Sequence, residues 1–197
     1  MVEKIREVMR MIYLSKGVVQ ERSTEQLLYI SRCGQSFQLT GVEATLWLNG
    51  RFEFATAKGT VQEQALQRLN RIGLAECEQE NTAVSRYRIL TRCVCCPTVF
   101  SKGENNLSND EKIIIYWLSN AGIRLSVAEL IYLNENHIEP TAQLLYKENH
   151  QVLIELIYTR NTIADNILEN MMETASSRDE VIRILQKLLK KKQILLL

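Results

Sequence analysis

Proline and glycine are scarce in this chain of 197 residues, which contains two prolines and eight glycines. Long helices therefore meet few residues that would break them, and a many-stranded sandwich is not expected. Apolar residues make up 46% of the chain and charged residues 24%, which is the composition of an ordinary folded protein. We expect an α+β fold that is predominantly helical.

Long apolar runs are also missing. No stretch is long enough to cross a bilayer, and charged residues interrupt the amino-terminal segment MVEKIREVMRM, where a secretory signal needs a continuous apolar core. The sequence therefore predicts a cytoplasmic protein without a membrane partner. Five cysteines are an odd number, and without a signal peptide we expect them to be reduced thiols.

Recognisable catalytic motifs are missing as well. The sequence contains no glycine-rich phosphate loop, no H-E-x-x-H and no G-x-S-x-G. The two histidines, His137 and His150, lie far in sequence from any suggestive serine or cysteine. We therefore expect no catalytic residues, no cofactor and no enzymatic activity.

Three of the cysteines are grouped in the run CVCCP, at Cys93, Cys95 and Cys96. Zinc sites normally use paired C-x-x-C spacings, which this run does not provide, so buried structural thiols and no metal are the default expectation. Zinc binding and redox sensing stay open as alternatives for these residues.

The net charge of +1 is unevenly distributed. Residues 1–103 hold 14 basic and 10 acidic side chains, residues 104–177 hold 4 and 11, and residues 178–197 hold 6 and 2. A polyanion would therefore meet the first part of the chain or its carboxyl end, because the middle would repel it.

The polar stretch SKGENNLSND is the best candidate for a domain boundary, and it divides the chain into domains 1–103 and 104–197. Ser108 and Glu111 have the spacing of a capping box, which predicts the start of a helix in the second domain. The apolar residues 194–197 are expected to pack as a strand or to support a homodimer.

The two halves also resemble each other loosely. EKIREVMRMIYLSKG is similar to EKIIIYWLSNAG, and STEQLLYI is similar to SVAELIYL. Each half then closes with a helix that leads into a short apolar strand, ALQRLNRIGLAEC in the first and EVIRILQKLLKKKQILLL in the second. A tandem repeat and a chance similarity of amphipathic segments are both open.

Residues 27–40 admit two assignments. One is a helix that Gly34 ends, and the other is a hairpin of two short strands, favoured by the β-preferring Tyr29, Ile30 and Phe37. Periodicity does not separate the two for so short a run.

Residues 67–91 combine a helix, a glycine and two expected strands. Leu66, Leu69 and Ile72 have helical spacing within a helix expected over 60–72, with Val61 also on its core side, and Gly73 is suited to end it. A strand from Leu74 would then turn at 79–81 and return, with Arg86 and Arg88 directed outward. This order is the signature of a helix followed by a wing over 74–92.

The polar side chains of this helix and wing are candidates for reading DNA. Glutamine pairs with the adenine edge and arginine with the guanine edge or with phosphate. The expected contacts are Gln64, Gln67, Arg68 and Arg71 on the helix and Arg86, Arg88 and Arg92 on the wing. The alternative is a solvated helix beside a surface hairpin.

The segment ALQRLNRIGLAECEQENTAVSRYRILT resembles the recognition helix, wing and closing strand of MarR-like members of the winged-helix DNA-binding superfamily. The resemblance implies tandem winged-helix-like domains with short β-hairpins in a dimeric transcriptional regulator that binds double-stranded DNA. It also implies that Gln64, Gln67, Arg68 and Arg71 lie in the major groove, with Arg86 and Arg88 on the wing.

The segment LLYISRCGQSFQLTGVEATLWLNG is similar to the opening of the peptide-recognition domains of ribosomal-peptide maturation systems. This second resemblance implies a non-catalytic module in which a leader peptide pairs with an exposed strand edge near residues 27–31. A third expectation is a scaffold whose second domain binds a protein partner.

Overall fold

The computed structural model describes residues 10–24, 27–98, 106–120, 125–126, 130–131, 133–134, 138 and 176–197. Within these ranges the chain forms five helices and three sheets of three strands each. The chain divides into two compact units, Met1–Ile89 and Leu90–Leu197.

The expectation of a predominantly helical protein with tandem winged-helix-like domains is wrong. Of the described residues, 46% are helical and 28% lie in strands, so the fold is α+β with a large share of sheet. β1 pairs with β5 and β6, and β7 pairs with β8 and β9, across long stretches of chain, and local periodicity carries little information about such pairings.

The first unit begins with strands. In chain order it contains β1 (Arg10–Ser15), β2 (Val18–Val19), β3 (Leu27–Arg32), β4 (Gln35–Thr40), α1 (Gly41–Asn49), β5 (Ala55–Lys58), α2 (Thr60–Arg71), β6 (Ala75–Glu78) and most of α3 (Ala83–Thr91). The second unit contains β7 (Val94–Pro97), α4 (Asn109–Asn120), β8 (Leu125–Ser126), α5 (Ser176–Lys190) and β9 (Ile194–Leu196).

β1 is the central strand of the first sheet, with β5 and β6 antiparallel on either side. Tyr13 lies at its centre and is fully buried, and its hydroxyl donates a hydrogen bond of 2.9 Å to the carbonyl of Leu46 in α1. Burial raises the pKa of Tyr13 to about 12, so this hydroxyl keeps its proton. The bond ties the sheet to the helix through the core.

Residues 27–40 form the hairpin and not the helix. β3 and β4 pair over their full length, and the two-residue turn between them places Cys33 at φ 49° and Gly34 at φ 78°. Two left-handed residues in succession are typical of a turn that matches the twist of the flanking strands. β2 pairs with the other side of β3 and completes the second sheet.

The helix expected over 60–72 is confirmed as α2. It ends as predicted, because Gly73 has φ 77° and the Leu74 N–H donates a bond of 2.8 Å to the Leu69 carbonyl. Val61, however, is 67% exposed and Ile72 is 41% exposed, so the core face of α2 is narrower than the sequence indicated.

The expected wing over 74–92 is wrong in its second half. β6 is a strand as predicted, but the returning segment is the helix α3, whose first turn is capped by a 3.1 Å bond from the Ser85 N–H to Thr82 Oγ1. β6 has its pairing partner in β1, which precedes it by some sixty residues, and so needs no returning strand.

The capping box at the start of α4 is confirmed. Glu111 accepts a 2.7 Å bond from the Ser108 N–H and a 2.6 Å bond from Lys191 Nζ at the end of α5. Residues 194–196 pack as the strand β9, the first of the two outcomes expected for the apolar terminus.

The two units repeat one arrangement of strands. In each, the first strand of the sheet lies in the centre. β1 lies between β5, which follows α1, and β6, which follows α2, and β7 lies between β8, which follows α4, and β9, which follows α5. The similarity of ALQRLNRIGLAEC to the carboxyl end therefore corresponds to structure, since both segments are a helix followed by an edge strand. The other two similarities do not, because β1 and β3 are strands whereas α4 and residues 130–131 are helical.

Candidate functional site

Over the described residues, the first unit has an open strand edge at β4. β4 lies at one side of the second sheet, and no other described strand pairs with it. The hydrogen bonds of Tyr29 on β3 show which backbone groups of β4 point outward. The Tyr29 carbonyl accepts a bond of 2.8 Å from the Gln20 N–H, and the Tyr29 N–H donates a bond of 2.9 Å to Ser23 Oγ. Both bonds lie on the β2 side of β3. Tyr29 faces Gln38, so the Gln38 backbone groups point away from β3.

The same alternation applies two residues earlier along β4. The N–H and C=O groups of Ser36 point away from β3 in the same direction as those of Gln38. Two successive donor and acceptor pairs are therefore directed outward. An extended chain that pairs with a sheet edge needs this pattern.

The two faces of β4 differ in character. Leu39 is buried and Phe37 is partly buried against the core of the first unit. On the other face Ser36 Oγ accepts bonds from Gln20 Nε2 at 3.2 Å and from Arg22 at 3.0 Å, and the Arg22 guanidinium lies 4.0 Å from the centre of the Tyr29 ring. A strand added to β4 would therefore meet an apolar face on one side and a polar, cationic face on the other.

The carboxyl end of α2 is close to other elements of the first unit at two points. A side chain on Gly73, two residues after α2, would overlap the guanidinium of Arg32, the last residue of β3. Within α2, Arg68 Nε donates to Glu43, in the first turn of α1, at 2.7 Å.

The helix residues that the sequence assigned to DNA reading are exposed. Gln64, Gln67, Arg68 and Arg71 all lie on the solvent side of α2. The Arg68 side chain is 62% exposed although it is paired with Glu43. The structure therefore brings these four side chains together on one surface.

The arginines expected on a wing lie elsewhere. Arg86 and Arg88 are half-buried in α3, and Arg92 is exposed just beyond its end. Arg86 Nε donates to Asn81 Oδ1 at 3.0 Å, and its guanidinium lies 5.5 Å from the centre of the Phe54 ring. The structure does not place these three on a hairpin.

The cysteines of the CVCCP run are buried, as expected for structural thiols. Burial and the neighbouring sulfurs of Cys93 and Cys96 raise the pKa of Cys95 well above its usual value, so this thiol keeps its proton. Over the described residues, no three potential metal-ligating side chains are grouped together.

A buried ion pair lies at the end of β1. The Lys16 side chain is 3% exposed, and its Nζ is 2.5 Å from Glu76 Oε1 on β6. The Lys16 carbonyl accepts a 3.0 Å bond from Trp47 Nε1, so the same residue also fixes the Trp47 ring.

Sequence reasoning placed the open edge at 27–31, but β3 is the central strand and β4 carries the edge. The alternation in QSFQLT indicated a strand, yet nothing local indicated that β2 would cover the far side of β3. Arg51 and its aromatic neighbours were missed altogether.

Comparison of the chain with protein-family models, with curated proteins and with solved structures found no match. Among the helices that the structure describes, none combines the length and the apolar character needed to span a bilayer.

Proposed function

We propose that the first unit is a non-catalytic peptide-binding module, and that an extended segment of a partner pairs with the edge of β4. The observation that carries the proposal is the outward direction of the backbone groups of Ser36 and Gln38. Main-chain pairing supplies affinity in such complexes, and the side chains on the two faces supply selectivity.

The position of the edge strand in the chain supports this function. The hairpin lies within residues 16–40, between the central strand and the first long helix of its unit, whereas the corresponding segment of the second unit, residues 98–108, is much shorter. Over the described residues, the second sheet is thus an addition to the arrangement of strands that the two units share. An addition that the frame does not need is a reasonable place for binding.

A selection experiment tests the proposal. Random peptides displayed on their messenger RNA are selected on the full-length protein, and enriched peptides are measured by fluorescence anisotropy. The decisive variant is Gln38→Pro, which removes one outward donor without removing a bond between β4 and β3. We expect it to weaken binding by about tenfold.

The matched control is Gln38→Ala, which changes the same side chain and keeps the N–H. We expect it to bind the selected peptides nearly as well as the original protein. Equal binding to the proline variant, or no enriched peptide at all, would refute the proposal.

Double-stranded DNA is a second candidate partner, favoured by the exposed row of Gln64, Gln67, Arg68 and Arg71 on α2. A helix with such side chains fits the major groove, and a transcriptional regulator would use it in this way. The candidate has less support than the peptide, because residues 83–91 supply a helix in place of the expected wing.

Salt dependence separates the two candidates. DNA binding falls steeply as salt rises, because phosphate contacts release counterions. Anisotropy with a random duplex, repeated for Arg68→Ala/Arg71→Ala, would show salt-sensitive binding that the variant loses if DNA is the partner. Peptide pairing along β4 should respond little to salt.

We also propose a cytoplasmic location. Its support is that the five cysteines are thiols and not disulfides. Fractionation of cells that produce the protein tests the location, and recovery outside the cytoplasm would contradict it.

A further inference from the structure

Arg51 follows α1, and its guanidinium lies close to two aromatic rings. Its guanidinium carbon lies 4.5 Å from the centre of the Phe52 ring and 5.5 Å from that of Trp47. The Trp47 ring is fully buried and fixed by its hydrogen bond to the Lys16 carbonyl. The rings therefore hold the guanidinium in one place before any ligand arrives.

The guanidinium nevertheless lacks acceptors. Arg51 is half-buried, and its Nε is shielded from solvent without a hydrogen-bond partner. Among the described residues, no carboxylate forms an ion pair with it. Buried donors of this kind are rare in proteins, and each one calls for an explanation.

Two other arginines provide an internal comparison. Arg22 also stacks on a ring, and its Nε donates to Gln20 Oε1 at 2.8 Å. Arg86 stacks on Phe54, and its Nε donates to Asn81 Oδ1 at 3.0 Å. Arg22 and Arg86 thus each have a hydrogen-bond acceptor for Nε in addition to a ring contact, whereas the Nε of Arg51 has no acceptor.

We propose that Arg51 is a binding site for an oxyanion, a carboxylate or phosphate group carried by a small ligand. A guanidinium presents two parallel N–H donors that match a pair of such oxygens. Its Nε is shielded from solvent, so an oxyanion would approach through the two terminal nitrogens, which are not shielded in this way. This site is independent of peptide pairing along β4.

A further observation agrees with this assignment. Burial lowers the pKa of Arg51 from its usual value, and a bound anion would offset that loss of solvation.

Nuclear magnetic resonance of the full-length protein tests the site through the Nε–H signals of arginine. Inorganic phosphate, and separately acetate, is titrated at constant ionic strength, with sodium chloride as the reference. We expect the Arg51 signal, identified by its loss in Arg51→Lys, to move in a saturable way. The Nε–H signals of Arg22 and Arg86 should stay nearly still, because their acceptors are already in place.

Variants of Arg51 give a second readout. Arg51→Gln should weaken phosphate or acetate binding about tenfold, because one charge-assisted pair of bonds is lost. Arg51→Lys should retain part of the affinity, since it keeps the charge and loses the fork. Saturation by phosphate only, or by acetate only, would identify which oxyanion the site takes.

Linear movement of the Arg51 signal, equal to that of Arg22 and Arg86, would overturn the proposal by showing a general ionic effect. A saturable response that Arg51→Gln leaves unchanged would overturn it as well. The titration of the original protein decides the matter even if a variant does not fold.

Discussion

Tyr13 lies between Ala55 and Cys77 in the first unit, and Cys95 lies between Leu125 and Leu196 in the second. The neighbouring bonds agree too, since the Lys16 N–H donates to the Leu74 carbonyl at 2.9 Å and the Thr98 N–H donates to the Gln193 carbonyl at 2.9 Å. The two units thus share one frame, meaning the same strand pairing and helix ends, and differ in their side chains. The frame is set by backbone pairing and helix ends, whereas the inserted second sheet sets the first unit apart.

Helix ends show the same agreement. The Leu74 N–H reaches the Leu69 carbonyl at 2.8 Å, and the Gln193 N–H reaches the Leu188 carbonyl at 2.9 Å. Both ends turn through a left-handed residue, which is Gly73 in one unit and Lys192 in the other. The turn is therefore required in each unit, and the residue that makes it is not.

The polar contacts of the frame differ more. Glu76 faces Leu14 on β1 and holds the buried Lys16, whereas Leu195 occupies the corresponding place on β9 facing Cys96. In both units a carboxylate near the start of the first long helix forms an ion pair. In the first unit Glu43 pairs with Arg68 at the surface, and in the second unit the buried Glu111 pairs with Lys191.

The largest expected effect comes from Glu76→Leu, which copies the residue of the second unit and leaves the Lys16 ammonium buried without its carboxylate. We expect the free energy of unfolding to fall by about 3 kcal/mol. The double variant Lys16→Met/Glu76→Leu should recover most of the loss, because an apolar pair replaces an ion pair. Urea unfolding in a Trp117→Phe background, followed by Trp47 fluorescence, measures both, and a loss below about 1 kcal/mol for Glu76→Leu would contradict the account.

Lys191→Met should cost about 2 kcal/mol, because it removes the cation from a carboxylate that is 2% exposed. Its counterpart Arg68→Met should cost about 0.5 kcal/mol, since that pair is solvent-screened. Urea unfolding followed by Trp117 in a Trp47→Phe background measures the first, and the converse background measures the second. Equal losses would show that burial does not distinguish the two pairs.

Substitutions at the two left-handed residues should change the free energy of unfolding in opposite directions. Gly73→Ala should destabilise by about 1 kcal/mol through backbone strain, whereas Lys192→Gly should stabilise by about 0.5 kcal/mol by relieving it. Thermal unfolding of the two single variants tests the pair. Changes of the same sign would mean that the two helix ends are not equivalent.

Acid should weaken the second unit through Glu111. Burial alone would raise its pKa, but the hydrogen bonds from Lys191 and the Ser108 N–H, with the charges of Lys191 and Lys187, outweigh it, so the pKa of Glu111 is lowered. The Glu111 carboxylate therefore takes up a proton more readily in the unfolded state than in the folded state. The stabilisation that this carboxylate provides is present above its ordinary pKa of 4.5 and is lost as pH falls through its lowered pKa in the folded state. Urea midpoints recorded against pH should show this slope in the original protein and a smaller one in Lys191→Met.

Local features were predictable from the sequence, and distant pairings were not. Gly73 and the Ser108 and Glu111 pair mark a helix end and a helix start through bonds within a few residues, and both predictions are confirmed. The wing failed because the alternation of buried and exposed residues at 85–89 fits a strand as well as a helix packed on one side. The structure has a helix there, and β6 pairs instead with β1, which lies some sixty residues earlier in the chain.

For the candidate sites too, local features were predictable from the sequence and distant contacts were not. Exposure of Gln64, Gln67, Arg68 and Arg71 was predictable from the spacing of α2. The open edge of β4 was not, because it depends on which side of β3 is covered by β2. The Arg51 site was not predictable either, because the lack of a hydrogen-bond acceptor for Nε depends on how the surrounding side chains pack.

Hydrogen exchange of the β4 amides, with and without a peptide from the selection, tests the central claim most directly. The peptide should slow exchange at Ser36 and Gln38, whose N–H groups point outward, and should leave Phe37 and Leu39 nearly unchanged because the ladder with β3 already protects them. Protection confined to α2, at Gln64 and Gln67, would contradict the account and place the partner on the helix.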